Sequence, residues 1–127
     1  MGATLTYHGH SCCSMEADGK RVIIDPFLSG NEQAAGDVET VDVDAVLVTH
    51  AHGDHLGDAI AIAQQNDATL VAIYEIAEYA TREGVENTFG MNLGGAHDFD
   101  FGRVKMTIAH HSSSIVTDEK IQALGAP

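Results

Sequence analysis

The segment LVTHAHGDHLGD, residues 47–58, constrains this chain more than any other part of it. Three histidines and two aspartates fall within nine residues, directly behind the apolar, β-branched run at residues 45–49. Such a run reads as a short buried strand. His50, His52, Asp54 and His55 therefore form H-x-H-x-D-H at the corner where that strand ends. Side chains two apart on extended backbone share a face, so His50 and His52 can point the same way. Gly53 permits a sharp turn that returns Asp54 and His55 toward the same spot. Neutral imidazole is the commonest metal ligand, and carboxylate suits the same cations. One ion could take His50 and His52 while Asp54 and His55 face a second, close by.

The flanking pattern places this corner in an α/β layer. Leu56, Ala59, Ile60 and Ala63 recur at helical spacing. ATLVA at residues 68–72 is a second buried strand, and Ile73, Ile76, Ala77 and Ala80 give another helical stripe that Gly84 is placed to stop. Strand, helix, strand, helix predicts a parallel pair. Upstream, TLTYH alternates as a strand, and Asp18-Gly19 joins two strand-like arms at 12–17 and 20–25 into a hairpin ended by Pro26. HDFDFG and RVKMTIA read as further strands joined near Gly102, and the acidic stretch 29–44 as a surface loop or a lid. Adjacent Cys12 and Cys13 do not suit an ordinary disulfide. They are expected on opposite faces of a strand, one of them packed as a small hydrophobe, in a reduced compartment.

Length and charge bound the rest. The chain reads as a single domain over residues 1–127, long enough to bury one core. Nineteen acidic residues against six basic ones give a net charge of -13, which repels nucleic acid and anionic membranes. So acidic a surface also suits a salt-adapted protein, whose self-repulsion is screened at high ionic strength. No apolar run approaches the ~20 residues of a membrane span, and the N-terminus lacks the basic start and apolar core of a signal peptide. These features predict a cytoplasmic protein acting on a small molecule, with neither nucleic acid nor membrane as partner.

Five motifs extend the corner: GHS at 9–11, IIDPFLSGN at 23–31, THAHGDHLGD at 49–58, GMNLGG at 90–95 and HHSS at 110–113. In this order and spacing the chain resembles the metallo-β-lactamase superfamily, in particular its metal-dependent hydrolases similar to the ascorbate-6-phosphate lactonases. The resemblance implies an α/β/β/α sandwich of two similar halves, this chain supplying the N-terminal α/β half: a mixed sheet with helices on one face. It implies His50, His52 and His111 on a first metal, with His111 preferred to His110 because the matching histidine directly precedes Ser-Ser. Asp54 and His55 would face a second metal, and Asp54 would also orient the attacking water or serve as general base. Asp25 would lie behind the ligands and orient their loop. His10 and Asn92 would line the substrate pocket or serve in packing, while His8 and His97 receive no role.

The implied cofactor is a divalent metal, zinc foremost, with manganese or iron also suited to nitrogen and oxygen ligands. The implied reaction is attack of a metal-bound hydroxide on an ester, lactone, amide or phosphoester. The chain matches the first half of the family and stops at LGAP. It would hold one ion well, and a second if the missing half were supplied. Two functions follow: a metal-dependent hydrolase, or a non-catalytic metal-binding half-domain or fragment that assembles with itself or with a complementary C-terminal half.

Overall fold

The structure is a computed structural model and describes residues 2–127. Strands β1 (Ala3–Tyr7), β2 (Cys13–Ala17) and β3 (Lys20–Ile24) form an antiparallel meander. Asp18 and Gly19 both take positive φ, 50° and 76°, as the expected two-residue hairpin turn requires. β4 (Ala45–Leu47), β5 (Thr69–Ile73) and β6 (Thr88–Met91) then add in parallel. Among the described residues the result is a six-stranded mixed sheet in the order β1-β2-β3-β4-β5-β6. Helices α1 (Gly53–Leu56) and α2 (Ala59–Asn66) connect β4 to β5, and α3 (Tyr74–Arg82) connects β5 to β6. Two ribbons stand apart from the sheet: β7 (Ala96–Phe99) with β8 (Gly102–Lys105), and β9 (Ser114–Val116) with β10 (Ile121–Ala123). Among the described residues no helix is long and apolar enough to cross a membrane.

The sheet has two unlike faces. Ile23, Val46 and Leu70 are register neighbours across β3, β4 and β5, and all three are buried against the helices with Ile62 and Ile76. Each such aliphatic side chain contributes about 1.5–3 kcal/mol by leaving water. On the opposite face Tyr7, Cys13, Ile24, Leu47 and Val71 align as a second cross-strand row. The helices do not cover it, and at its edge Leu5 and Tyr7 are 64% and 65% exposed. Cys12, just ahead of β2, is fully buried in the helix-side core, whereas Cys13 lies on the open row.

The helix read from Leu56 to Ala63 is broken in the structure at Gly57. That residue has φ 45° and ψ −122°, and a Cβ there would lie 2.6 Å from the Pro26 carbonyl oxygen. The loop after β3 docks into the break: Asp58 N–H donates to Pro26 O at 2.9 Å, and the Asp58 carboxylate accepts from Leu28 and Ser29 N–H. Those bonds replace the ones a continuous helix would make. The buried stripe survives through Leu56, Ala59 and Ala63, with Ile62 more deeply buried than Ile60. The stretch 29–44 is a loop apart from a 3₁₀ turn at Val38–Thr40, capped by Asp37. His8 is buried, and His97, though exposed, packs on Phe89 and Phe99 with ring centroids 4.4 and 4.6 Å away.

Candidate metal centre

The candidate site lies beyond the carboxyl ends of β3 and β4, where open α/β sheets leave room for ligands. Asp25, the residue after β3, takes a left-handed φ of 47°. Its N–H donates to Leu47 O at 2.9 Å, which holds the two strand ends together. Its carboxylate is buried and accepts from Thr49 N–H at 2.8 Å, the Thr49 hydroxyl at 2.7 Å and His55 Nδ1 at 2.9 Å. Non-glycine residues held at positive φ cost on the order of 1–3 kcal/mol, and they concentrate where surrounding structure needs a side chain in one place.

These bonds select imidazole tautomers. The Thr49 hydroxyl gives its proton to Asp25, so at 2.9 Å it can only accept from His50 Nδ1. His50 Nε2 is left as a bare lone pair. His55 Nδ1 likewise donates to Asp25 and leaves its Nε2 free. Burial, followed by the neighbouring His55 and His52 rings, pushes the His50 pKa down to about 4. The His50 ring is therefore neutral near pH 7, the form that binds metals.

His50 Nε2 faces His52 Nδ1 at 3.2 Å. Ser112 Oγ, 3.2 Å from His52 Nε2, can take the proton on that side of the ring. With its proton on Nδ1, His52 donates to His50 Nε2; with its proton on Nε2, facing Ser112, it presents a second lone pair toward the same point, where a cation could bind. A tetrahedral zinc with Zn–N bonds of about 2.0–2.1 Å has ligand–ligand edges of about 3.3–3.4 Å. The His111 ring stands 4.9 Å, centroid to centroid, from both partners. One ligand atom from each of His50, His52 and His111 falls within 4.8 Å of the others. The donor set fits a divalent cation.

His111 arrives through a staple that sequence reasoning did not single out. Ser113 is buried; its Oγ accepts from Ala51 N–H at 3.0 Å and donates to Leu124 O at 3.3 Å. The HHSS motif contained this signal without saying which serine mattered. Nothing in the sequence marked Thr49, whose role depends on the turn at Asp25.

Asp54 and His55 share a second cluster with His10, whose Nε2 lies 2.7 Å from Asp54 Oδ2. His110 makes no ring contact with the cluster among the described residues. Asn92 is exposed in the turn after β6, outside both clusters, and its carbonyl accepts from Gly95 N–H. Beside the histidines a cavity of about 560 Å³ opens on the helix-free sheet face, lined by Leu47, Val71, Met106, His50, His55 and His111 among others.

A mixed α/β sheet with clusters of histidine and carboxylate at its strand ends is an arrangement that could hold metal ions. The sequence profile of the metallo-β-lactamase superfamily matches residues 6–122, and the chain belongs to that superfamily. It is 51% identical over 124 residues to a UPF0173 metal-dependent hydrolase of Geobacillus thermodenitrificans, covering 97% of this chain and 54% of that protein. A UPF0173 metal-dependent hydrolase of Staphylococcus carnosus is 48% identical over 124 residues, again 54% of its length. Among solved structures, Igni18, a metallo hydrolase from Ignicoccus hospitalis, superposes with TM-score 0.77 at 34% identity, covering 94% of this chain and 52% of that one. The chain spans about half the length of the curated relatives it matches.

Proposed function

We propose that this chain carries the metal-binding half of a hydrolase acting on a small molecule with an ester, lactone, amide or phosphoester bond. The observation that carries the reading is the pair of nitrogens, His50 Nε2 and His52 Nδ1, facing each other at 3.2 Å beside the His111 ring. His50, His52 and His111 would hold the first cation, zinc being the best match to three imidazoles, with manganese or iron also compatible. When bound, such a cation polarises a substrate oxygen and brings the pKa of a coordinated water to about 7.

The chain's own residues supply the rest. Asp25 and Thr49 hold His50 in the ligating tautomer, and Ser113 holds the segment that presents His111. Asp54, half-exposed at the mouth of the site, orients the attacking water or takes its proton as general base. The water oxygen bonds to the carbonyl carbon or phosphorus, the bond to the leaving group breaks, and the proton passes to that group. The apolar wall formed by Leu47, Val71 and Met106 suits the non-reacting part of a small substrate.

A second reading has its own observation. Leu5, Tyr7 and Met15 are 64%, 65% and 42% exposed on the helix-free face. A face of that kind favours assembly with a complementary half or a second copy, with hydrolysis belonging to the assembly or absent from it.

Metal content and hydrolysis of chromogenic esters, lactones and phosphodiesters, measured on the chain and on its assemblies, test both readings. His52→Ala and His111→Ala should abolish tight binding of the first ion, and His110→Ala should not. Equal effects at 110 and 111 would remove His111 from the site. Absence of any ion after loading with zinc, manganese or iron would remove the hydrolase.

A further inference from the structure

We propose that β1 is a pairing edge, and that two copies of this chain join there as an antiparallel dimer whose two-fold axis passes through Leu5. Pairing along this edge requires neither an ion nor hydrolysis.

β1 ends the six-stranded sheet, with β2 on one side and no strand on the other among the described residues. All five of its residues are exposed. Natural proteins blunt such edges with a charge, a proline, a bulge or a covering segment, because unpaired N–H and C=O groups recruit another strand. β1 has none of the first three. Its residues are Ala3, Thr4, Leu5, Thr6 and Tyr7, and they pair with β2 one to one through all five positions. In a chain of net charge -13 this strand is a line along which a second copy meets no carboxylate. The first acid in register, Glu16, belongs to β2.

Two observations fix which backbone groups point outward. The two-residue turn at Asp18 and Gly19 is flanked by Ala17 and Lys20, the pair whose backbone hydrogen bonds close such a hairpin. Bonded and non-bonded pairs alternate along an antiparallel ladder, so Ala17, Met15 and Cys13 bond to β3 while Glu16 and Ser14 bond to β1. Their partners on β1 are Thr4 and Thr6. His8 N–H, two residues further on, donates to Cys12 O at 2.9 Å and continues the same series. Ala3, Leu5 and Tyr7 therefore direct their N–H and C=O groups away from the sheet.

Antiparallel pairing with Leu5 opposite Leu5 sets Ala3 opposite Tyr7 of the second copy and uses the whole strand. The outward residues all become bonded pairs, with about six N–H···O bonds between the copies. Sliding the register two residues either way loses one of the three bonded pairs. Thr4 then lies opposite Thr6 of the second copy in a non-bonded pair, where side chains come closest and Thr–Thr contacts are favourable. The faces match too. Leu5 shares a row with Met15 and Val22 on the helix-free side, so Leu5 meeting Leu5 joins two apolar rows into one. On the helix side, Thr4 and Thr6 extend the hydroxyl row that includes Ser14. A two-fold interface requires a surface that complements itself. This strand does so in backbone and side chains alike.

Sedimentation equilibrium of the chain from micromolar to millimolar concentration should show reversible dimerisation, tighter at high salt because each copy carries a charge of -13. A monomer throughout would overturn the proposal. Leu5→Pro removes an N–H that only the dimer uses, and proline is tolerated where an edge N–H faces out. It should weaken dimerisation by about tenfold or more while the urea midpoint stays near that of the parent. An unchanged dimer, or loss of the fold, would overturn the register. Leu5→Lys and Leu5→Glu keep the N–H but set like charges against each other on the axis. Each should be monomeric alone, and an equimolar mixture of the two should dimerise again. A mixture that stays monomeric, or either variant dimerising alone as well as the parent, would also overturn it. In a dimer of isotope-labelled and unlabelled chains, Thr4 Hα of one copy should give an Overhauser contact to Thr6 Hα of the other. A dimer without that contact would assign the pairing to another surface and end the proposal.

Discussion

Replacing Asp25 by asparagine should cripple metal binding while leaving every metal-facing side chain in place. The substitution keeps the shape and one acceptor. The amide oxygen can still take Thr49 N–H, but an NH₂ group then occupies the position of Oδ2, which accepts from both the Thr49 hydroxyl and His55 Nδ1. Donors would face donors in a pocket where Asp25 is 3% exposed. Turning the amide over merely sets NH₂ against Thr49 N–H. The conflict is relieved if His55 moves its proton to Nε2 and the Thr49 hydroxyl turns to donate to His50 Nδ1. Both adjustments put protons on the nitrogens that face the metal. Binding an ion must then reverse them, restoring a buried donor clash that costs roughly 1–3 kcal/mol. The expected loss of affinity is about 10–100-fold, or about 1.4–2.8 kcal/mol. Competition with a chromophoric chelator measures that loss. Long-range ¹H–¹⁵N spectra of the metal-free protein read the tautomers, Nδ1–H in the parent and Nε2–H in the variant for His50 and His55. Unchanged tautomers with affinity within about twofold of the parent would refute the argument that Asp25 acts through these rings.

Three further outcomes follow from the packing. Gly57→Ala forces a Cβ to within 2.6 Å of Pro26 O and 2.9 Å of Phe27 Cα, both backbone atoms, at a φ and ψ that only glycine adopts easily. It should lower stability by about 2–4 kcal/mol, and a denaturation midpoint unchanged from the parent would contradict it. Ser113→Ala removes the side-chain acceptor of the Ala51 N–H at a buried position. A loss of about 1–3 kcal/mol in urea unfolding should accompany weaker binding of the first ion; loss of stability alone would show that Ser113 does not place His111. The Cys12 thiol, fully buried and pushed up to about 11 by burial and then by Cys13, should resist Ellman's reagent at pH 8 in the native state. Labelling of two thiols per chain as fast as in denaturant would refute that placement.

The parts of the fold legible in the sequence are those where a local rule and the tertiary structure agree. Asp18-Gly19 demanded positive φ at two consecutive positions, and the hairpin formed around it. The β-branched runs before His50 and after Ala68 had no polar face to turn to water, and both became interior parallel strands. The break at Gly57 was not legible, because the apolar stripe of α1 and α2 is continuous and the interruption comes from a loop some 30 residues earlier, through Asp58. β6 was missed for a related reason: at four residues, with Gly90 inside it, it carries no alternation. Its glycine matters through contact, since a Cβ there would lie 3.1 Å from Tyr74 Cα beneath α3.

The candidate site divides along the same line. Ligands supplied by one turn of chain could be read from spacing, because the corner after β4 brings His50, His52, Asp54 and His55 together over six residues. Spacing did not show the residues behind those ligands: Asp25 came only through the family resemblance and Thr49 not at all, because their positions depend on backbone conformations that sequence does not advertise. His10 and Asp25 both hold positive φ without being glycine, at 56° and 47°. The loop of His10 is held locally by Tyr7 and from a distant segment by Asn31, and Asp25 by Leu47 and Thr49. Strain of this kind persists only where the surroundings over-determine it, and in this chain two such residues meet His55, Asp25 by a hydrogen bond to Nδ1 and His10 by an edge-on ring contact. Relaxing either one would free an imidazole to rotate, and a freely rotating imidazole must be ordered again each time it binds. The fold thus spends stability in two loops to keep ring nitrogens preset, which is how a site assembled from separate segments can bind an ion tightly without reorganising.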